Sequence, residues 1–212
     1  MNERPILFSA PMVRALLDGS KTQTRRAMNP QPPENWAPAS YGDLHGYDRN
    51  GQLTPDKVVG WGPVNEDGDQ GFNCRYGQPG DRLWVREAWR VIDLANCFAP
   101  REITAAHRIW FEADGPHEPP AGRYRPGMFM PRWASRITLE VAGVRVERLQ
   151  DISEADAQAE GCERRNDDDE DAYVATATYR QGYRQLWNSI NGAGSWDLNP
   201  WVWVVEFKRI SA

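Results

Sequence analysis

A short segment near the amino terminus combines residue types that can carry out acyl transfer. Lys21 and Thr24 lie together in the run Lys21-Thr22-Gln23-Thr24-Arg25-Arg26. A threonine hydroxyl is a weak nucleophile that needs an adjacent base, and a lysine whose pKa is lowered by desolvation is such a base. Hydrolysis of an amide also requires donors for the oxyanion and an acid for the leaving amine. The segment therefore indicates a candidate base and nucleophile.

The same segment also fits a strand without catalytic function, either solvated or in contact with phosphate. Thr22, Arg25 and Arg26 are then candidate binding residues for a nucleic acid. The alternation of a regular strand puts Lys21 and Thr24 on opposite faces. A shared catalytic site therefore requires a turn or bulge between residues 19 and 22.

Glu87 is a second candidate carboxylate, which we assign to the substrate-binding set. It shares a strand face with Val85 and Trp89, so burial would raise its pKa and make it an acid. The alternative is a structural ion pair with Arg82 or Arg25.

Basic and aromatic residues occur together in two further places, Arg123-Tyr124-Arg125 and Arg132-Trp133. Guanidinium groups and large aromatic rings suit the phosphates and unstacked bases of single-stranded RNA. The alternative is a surface loop whose Trp133 ring is anchored on the core. Arg132 and Trp133 are candidate binding residues.

The hydrophobic pattern places these residues on strands and short helices. From Met28 to about Gly80 the chain is rich in Pro, Gly, Asn and Asp, which predicts a long loop insertion. A break at Ala142-Gly143 predicts a bulge or a hairpin bend. Strands are expected at 4–8, 21–26, 82–90, 107–112, 136–148 and from 201 onward, and helices at 11–17, 154–160 and 171–190.

The amino-acid composition limits which classes of binding partner we expect. A net charge of −5 argues against coating nucleic acid by bulk electrostatics. The three cysteines show no CxxC spacing and the three histidines are scattered, so we expect no disulfide, metal or cofactor. No apolar run reaches the roughly 20 residues of a membrane span, and no signal peptide is recognisable. The expected location is the cytoplasm.

The order of these motifs resembles the ASCH family, which has a PUA-like fold. The resemblance rests on Gly19-x-Lys-Thr-x-Thr-Arg after a helix, a Pro-Gly-Asp turn before a strand, and a closing Val-x-x-Phe strand. Pro5-Ile6-Leu7-Phe8 and 130–136 are typical of a branch found in bacteriophages and prophages. The resemblance implies one α+β domain over residues 1–212, a mostly antiparallel β-barrel with flanking helices and the insertion at about 28–80.

The resemblance also implies a function. One bacterial ASCH branch hydrolyses N4-acetylcytidine, and matching its motif makes Lys21 the base, Thr24 the nucleophile and Glu160 the proton carrier. The alternative for Glu160 is an exposed side chain paired with Arg164 or Arg165.

Two other functions remain open. One is a non-catalytic module for RNA or a modified base, which binds through Arg25, Arg26, Arg132 and Trp133. The other is a metal-dependent ribonuclease. The expected partner is a nucleoside or single-stranded RNA, for a monomer in the cytoplasm of a bacterial host.

Overall fold

The computed structural model describes residues 2–32, 46–47, 53–54, 74–166 and 177–210. None of the helices in these ranges is long and apolar enough to cross a bilayer. The helices are α1 Ala10–Asp18, α2 Glu154–Ala159 and α3 Tyr179–Asn191. The strands are β1 Glu3–Leu7, β2 Gln23–Ala27, β3 Gly46–Tyr47, β4 Leu53–Thr54, β5 Arg82–Arg86, β6 Trp89–Val91, β7 Ile109–Phe111, β8 Thr138–Arg148 and β9 Trp201–Ile210.

Five strands form one mixed sheet in the order β1-β5-β8-β9-β2. The β1/β5 pair is parallel and the other three pairs are antiparallel, so the fold is α+β with a mostly antiparallel sheet. The two edge strands approach each other, because Arg26 Nη2 on β2 donates to the Leu7 carbonyl oxygen on β1 at 2.7 Å. The described strands do not close into a barrel, and the PUA-like barrel stays a prediction.

Strand β9 lies between two hydrophobic clusters and contributes to both. Trp203, Val205 and Phe207 pack with α1, whereas Val202 and Val204 pack with α2 and α3. Successive side chains of a strand point to opposite faces, and apolar residues at both alternations predict a strand that is buried on both sides. This prediction from the sequence is confirmed.

Local signals in the sequence explain where several elements begin and end. Gly19 ends α1 at φ 85°, and the Ser153 side chain accepts a hydrogen bond from the Asp156 N–H at the start of α2. The predicted break in the long strand is a bulge, since the pairing of β8 with β9 shifts register between Val141 and Gly143.

Most predicted elements agree with the structure to within two residues at the ends that the structure describes, and the larger or more consequential differences are as follows. The strand predicted at 82–90 is divided into β5 and β6, which belong to different sheets, and β7 covers only part of 107–112. Strand β2 begins at Gln23, not Lys21, and α3 begins at Tyr179, where Thr178 caps it. Residues 167–176, where the predicted helix begins, lie outside the described residues, as does most of the 28–80 insertion.

We expect Leu139→Ala to lower the free energy of unfolding by about 2–5 kcal/mol, the range for a buried leucine replaced by alanine. Leu139 is fully buried in β8, opposite Leu83 of β5. Urea unfolding followed by circular dichroism measures the change. Leu94→Ala is the control, because Leu94 is 85% exposed and its loss should change stability by less than about 0.5 kcal/mol. Equal effects of the two substitutions would contradict the described core.

Candidate functional site

The end of α2 lies against the turn between α1 and β2. The Lys21 N–H donates to the Ala15 carbonyl oxygen at 2.9 Å, and the Thr22 N–H donates to Ala159 at 2.8 Å. Lys21 and Glu160 form an antiparallel bridge at this point. A Cβ on Gly161 would lie 2.7 Å from the Ala15 Cβ, so the close approach requires glycine. A site shared by Lys21 and Thr24 requires a turn between residues 19 and 22, and that turn is present.

This approach buries an ion cluster of Lys21, Arg25 and Glu160. Lys21 Nζ lies 2.7 Å from Glu160 Oε2, and Arg25 Nη1 lies 3.3 Å from Glu160 Oε1. Lys21 Nζ also donates to the Glu160 carbonyl oxygen at 2.9 Å. The side chains are 0%, 0% and 2% exposed in that order. One carboxylate therefore holds two buried cations, and the predicted pairing of Glu160 with Arg164 or Arg165 is wrong.

A second layer of charged groups surrounds this cluster. Arg25 Nε donates to Glu147 at 2.8 Å, and its Nη2 lies 3.2 Å from Asp156. Arg145 bridges the same two carboxylates, at 3.2 Å from Glu147 and 3.1 Å from Asp156. Gln23 Nε2 also donates to Asp156 Oδ1 at 3.0 Å. Strands β2 and β8 and helix α2 are thus joined through one network of ion pairs.

Burial dominates the electrostatics of the site. It lowers the pKa of Lys21 below its ordinary value, although Glu160 acts in the opposite direction. Burial also raises the pKa of Tyr183 well above its ordinary value, and the charge of Glu160 adds to that effect. The neighbouring Cys162 thiol has its pKa raised to about 12, mainly by burial. The cysteine and the tyrosine are therefore protonated at neutral pH, and Lys21 loses its proton more readily than an exposed lysine.

A small cavity of about 60 Å³ opens beside the cluster, between the edge of β2 and helix α3. Thr24 and Glu160 both lie on its wall, while Lys21 lies behind Glu160. One water needs about 10–15 Å³ of such space, so the cavity has room for a small group the size of an amide. Its wall is formed by Met12, Thr24, Arg25, Arg26, Ala27, Glu160, Tyr183, Leu186, Trp187, Ile190 and Asn191.

Strand β2 is the last strand in the order of the described sheet. The Phe207 N–H donates to the Thr22 carbonyl and the Met28 N–H to the Trp201 carbonyl. In an antiparallel pair such hydrogen-bonded positions alternate with positions that face away from the partner strand. The N–H and C=O of Arg25 therefore point away from β9, and Arg25 as a whole is only 3% exposed.

Among the remaining predicted residues of the amino-terminal segment, Thr22 is exposed and Arg26 borders the cavity with its guanidinium 5.2 Å from the Phe8 ring centre. Arg25 is fully buried among carboxylates, so it contributes to the site by holding them and not by contacting phosphate. The interpretation of 21–26 as a solvated strand is therefore wrong.

The other predicted binding residues lie outside the strands, Glu87 between β5 and β6 and Arg132 and Trp133 in a short 3-10 turn before β8. Glu87 is 1% exposed and accepts two hydrogen bonds from Arg136, at 2.9 and 3.0 Å, and not from Arg82 or Arg25. Burial raises the pKa of Glu87 although Arg136 opposes the shift. Arg132 pairs with Glu3 at 2.6 Å, and Trp133 is 39% exposed. No contact within the described ranges joins these residues to the Lys21 cluster.

The sequence prediction missed the residues that complete the site, Glu147 and Asp156 in the network and Tyr183 and Trp187 in the cavity. The sequence did contain one signal for the network residue Glu147. Arg145 and Glu147 alternate with Val144 and Val146, and charges in a strand that the sequence already placed in the sheet indicate buried ion pairs. In the described ranges, no group of three metal-ligating side chains is arranged to hold an ion.

Comparisons of this chain with protein families, with characterised proteins and with solved structures found no match. The geometry of the site therefore carries the functional argument.

We expect Glu160→Gln to lower the free energy of unfolding by about 3–5 kcal/mol at neutral pH, because it leaves the buried Lys21 without its carboxylate. The loss should shrink as the pH rises. Since burial lowers the pKa of Lys21, the unfolded chain binds more protons than the folded one, and alkaline pH favours the folded state. Urea titrations at several pH values measure both effects.

Glu163→Gln is the matched control for this experiment, because Glu163 is an exposed carboxylate three residues farther along the chain. Its replacement should leave stability unchanged within about 0.5 kcal/mol. A Glu160 variant as stable as this control would mean that the cluster is not buried.

Proposed function

We propose that this chain is an ASCH-type, PUA-like domain that binds a nucleobase or nucleoside and hydrolyses an N4-acylated cytidine. The supporting observation is that Thr24 shares one cavity wall with Glu160, whose carboxylate lies 2.7 Å from Lys21. A candidate nucleophile and a carboxylate therefore line one cavity, and a buried lysine is paired with that carboxylate. Nucleophilic acyl transfer uses a nucleophile, a base near it and a third group that orients the base.

In the first half-reaction, the Thr24 hydroxyl oxygen attacks the acyl carbon of the substrate amide. Its proton passes to the Glu160 carboxylate and on to the neutral amine of Lys21. The carbonyl oxygen takes the electron pair of the broken π bond and becomes an oxyanion. As the oxyanion collapses, the C–N bond breaks and the cytosine nitrogen takes the proton back from Lys21 through Glu160.

In the second half-reaction, water attacks the acyl-threonine ester. The same two groups take one proton from the water and return it to the threonine oxygen. Free Thr24 and acetic acid are the products when the acyl group is acetyl, and the acid releases its proton to solvent as acetate at neutral pH. The site therefore returns to its starting state without a cofactor.

Arg25 has a defined part in this scheme. It keeps a positive charge beside Glu160 when Lys21 gives up its proton, because its guanidinium is not deprotonated in proteins. The Glu160 charge is then never left unpaired in the interior, which would cost several kcal/mol. The second cation makes a neutral Lys21 compatible with an ionised Glu160.

The size of the cavity is consistent with an amide substrate. About 60 Å³ accommodates the acyl group, and the base and sugar of the substrate would then lie outside this space.

We expect Thr24→Ala and Lys21→Arg each to abolish release of acetate from N4-acetylcytidine. The first removes the nucleophile, and the second keeps the charge but cannot lose a proton at accessible pH. Wild-type turnover should need no added metal. The assay is acetate detection by coupled enzymes or nuclear magnetic resonance, with Thr22→Ala as control because that side chain is exposed outside the cavity.

The pH dependence separates base catalysis from a structural role of the lysine. Activity should rise with pH through the pKa of Lys21, which burial places below 10.5. No turnover by the folded wild-type protein, or full activity of folded Lys21→Arg, contradicts the proposed mechanism.

A second candidate is a binding module without turnover. One observation that favours it is that the Lys21 ammonium donates to Glu160, because a lysine held as an ammonium is not a base. A second is that the Trp133 ring, next to Arg132 in the chain, is partly exposed and so accessible to a base. In this case single-stranded RNA binds at the surface, and Arg25 is too buried to take part. Salt should weaken such binding with a shallow slope, because few phosphates are contacted.

If Trp133 stacks on a base, Trp133→Ala lowers RNA affinity by about 1–3 kcal/mol, and Trp133→Phe retains most of it. Fluorescence titration with a single-stranded oligonucleotide measures the affinity, and a duplex of the same sequence should bind less well. Unchanged affinity in a folded Trp133→Ala variant would show that this ring does not stack on RNA.

A further inference from the structure

The buried guanidinium of Arg25 is held by carboxylates on two sides. Its Nε and Nη2 lie 2.8 and 2.5 Å from Glu147 Oε1, whereas its Nη1 lies 3.3 Å from Glu160 Oε1. The other Glu160 oxygen, Oε2, is 2.7 Å from Lys21 Nζ. The two cations therefore share Glu160 through different oxygens, and Glu147 makes the shorter contacts with Arg25.

Glu147 lies between two arginines and outside the cavity. Arg145 Nε donates to Glu147 Oε2 at 3.2 Å, while Glu147 Oε1 accepts from Arg25. The Glu147 side chain is 17% exposed, and it does not form part of the wall that Thr24 and Glu160 share. Any effect of Glu147 on the chemistry of that cavity must therefore act through Arg25.

Several elements surround Lys21 and its carboxylate with charged or titratable groups. These groups are Asp156, Glu160 and Cys162 on or just after α2, Arg25 and Arg26 on β2, Arg145 and Glu147 on β8, and Tyr183 on α3. Helix α1 contacts Lys21 through the Ala15 carbonyl oxygen, and the ring centre of Phe8 lies 5.5 Å from Lys21 Nζ. Burial raises the pKa of Cys162 and of Tyr183, so both stay neutral. The charge balance is thus set by the arginines and the carboxylates.

A lysine that serves as a base must be neutral before the reaction and must hold a proton during it. Burial and the charge of Arg26 favour neutral Lys21 and so lower its pKa. Arg25, a second cation on the same carboxylate, acts in the same direction. The negative charge of Glu147 offsets that of Arg25, and it therefore makes the protonated lysine less costly.

We propose that Glu147 is a positioning residue: it holds Arg25 and balances its charge, and it thereby controls how readily Lys21 accepts a proton. This inference rests on the proposed function, in which Lys21 is the base. Glu147 need not touch the substrate, because the guanidinium between it and Glu160 is in contact with both carboxylates. Arg145 has the opposite effect, since its charge offsets that of Glu147.

The first test follows the proton on Lys21 without any substrate. The chain has three lysines, at positions 21, 57 and 208, so labelling lysine with carbon-13 gives three titrating Cε signals in nuclear magnetic resonance spectra. The signal that is missing in Lys21→Arg is that of Lys21. We expect its midpoint to fall by about 1 pH unit in Glu147→Gln and to rise in Arg145→Gln, as for one charge roughly 10 Å away at an effective dielectric constant of about 20.

Glu112→Gln is the matched control, because Glu112 forms an ion pair with Arg90 of the same length, 2.5 Å. The Glu112 side chain is 22% exposed against 17% for Glu147, so the two substitutions remove carboxylates of similar burial. The control should leave the Lys21 midpoint unchanged. An unchanged midpoint in folded Glu147→Gln, or shifts of the same sign in Glu147→Gln and Arg145→Gln, would overturn the proposal.

The kinetic test follows release of acetate from N4-acetylcytidine over a range of pH. In Glu147→Gln the rising limb of kcat should move about 1 unit to lower pH, and the plateau should fall about 3–10-fold, because a weaker base takes up the proton. KM should stay unchanged, since Glu147 lies outside the cavity. Glu112→Gln should keep the wild-type profile. A lower plateau without movement of the limb would indicate a purely structural role and overturn the proposal.

The two tests assign each failure. If the Lys21 midpoint shifts as expected but the wild type releases no acetate, the proposed hydrolysis is wrong, and control of the lysine proton by Glu147 stands. If acetate is released but neither the midpoint nor the limb moves in Glu147→Gln, the hydrolysis stands and this inference is wrong. Should Glu147→Gln fail to fold, Arg145→Gln decides alone, because a fall or no change in the midpoint would then overturn the proposal.

Discussion

The buried contact of Lys21 and Arg25 with Glu160 is the constraint on which the rest of this structure depends. Charged side chains lose several kcal/mol of hydration when they are buried, and only close, well-oriented partners offset that cost. The ion pairs of Glu160 with Lys21 and Arg25 hold the end of α2 against the turn before β2. It also ties β8 to β2 through Glu147. The arrangement of these elements and the electrostatics of the cavity therefore have one origin.

The cavity combines two kinds of polar group that chemistry uses differently. On one side, Glu160 leads to a lysine that burial makes easier to deprotonate. On the other lies Tyr183, whose hydroxyl stays protonated because burial raises its pKa well above the ordinary value. Proton transfer and stabilisation of a developing negative charge need these two environments next to one nucleophile. Thr24 occupies that position because β2 is an edge strand, so residues from both of its faces reach one cavity.

Much of the fold followed from local pattern. The two apolar faces of β9, the bulge near Gly143 and the capped start of α2 were all predictable, because each depends on residues close in sequence. The division of β5 from β6 and the start of α3 at Tyr179 were not. Alternation continues through residues 82–90, and only the positions of β7 and β8 decide that the chain changes sheets there. Periodicity describes which face is apolar but not which element covers it.

The sequence by itself determined the residue types at the site and the local elements that carry them. It indicated Lys21, Thr24 and Glu160 as a group by resemblance, and it indicated Glu87 as either a buried acid or one half of an ion pair. The tertiary structure alone decided which charges meet: Lys21 with Glu160, 139 residues away, and Glu87 with Arg136 in place of Arg82 or Arg25. It also placed Tyr183 and Trp187 on the cavity wall. The physical reason is that ion pairs and cavities arise from segments distant along the chain, whose approach depends on how all of the layers pack.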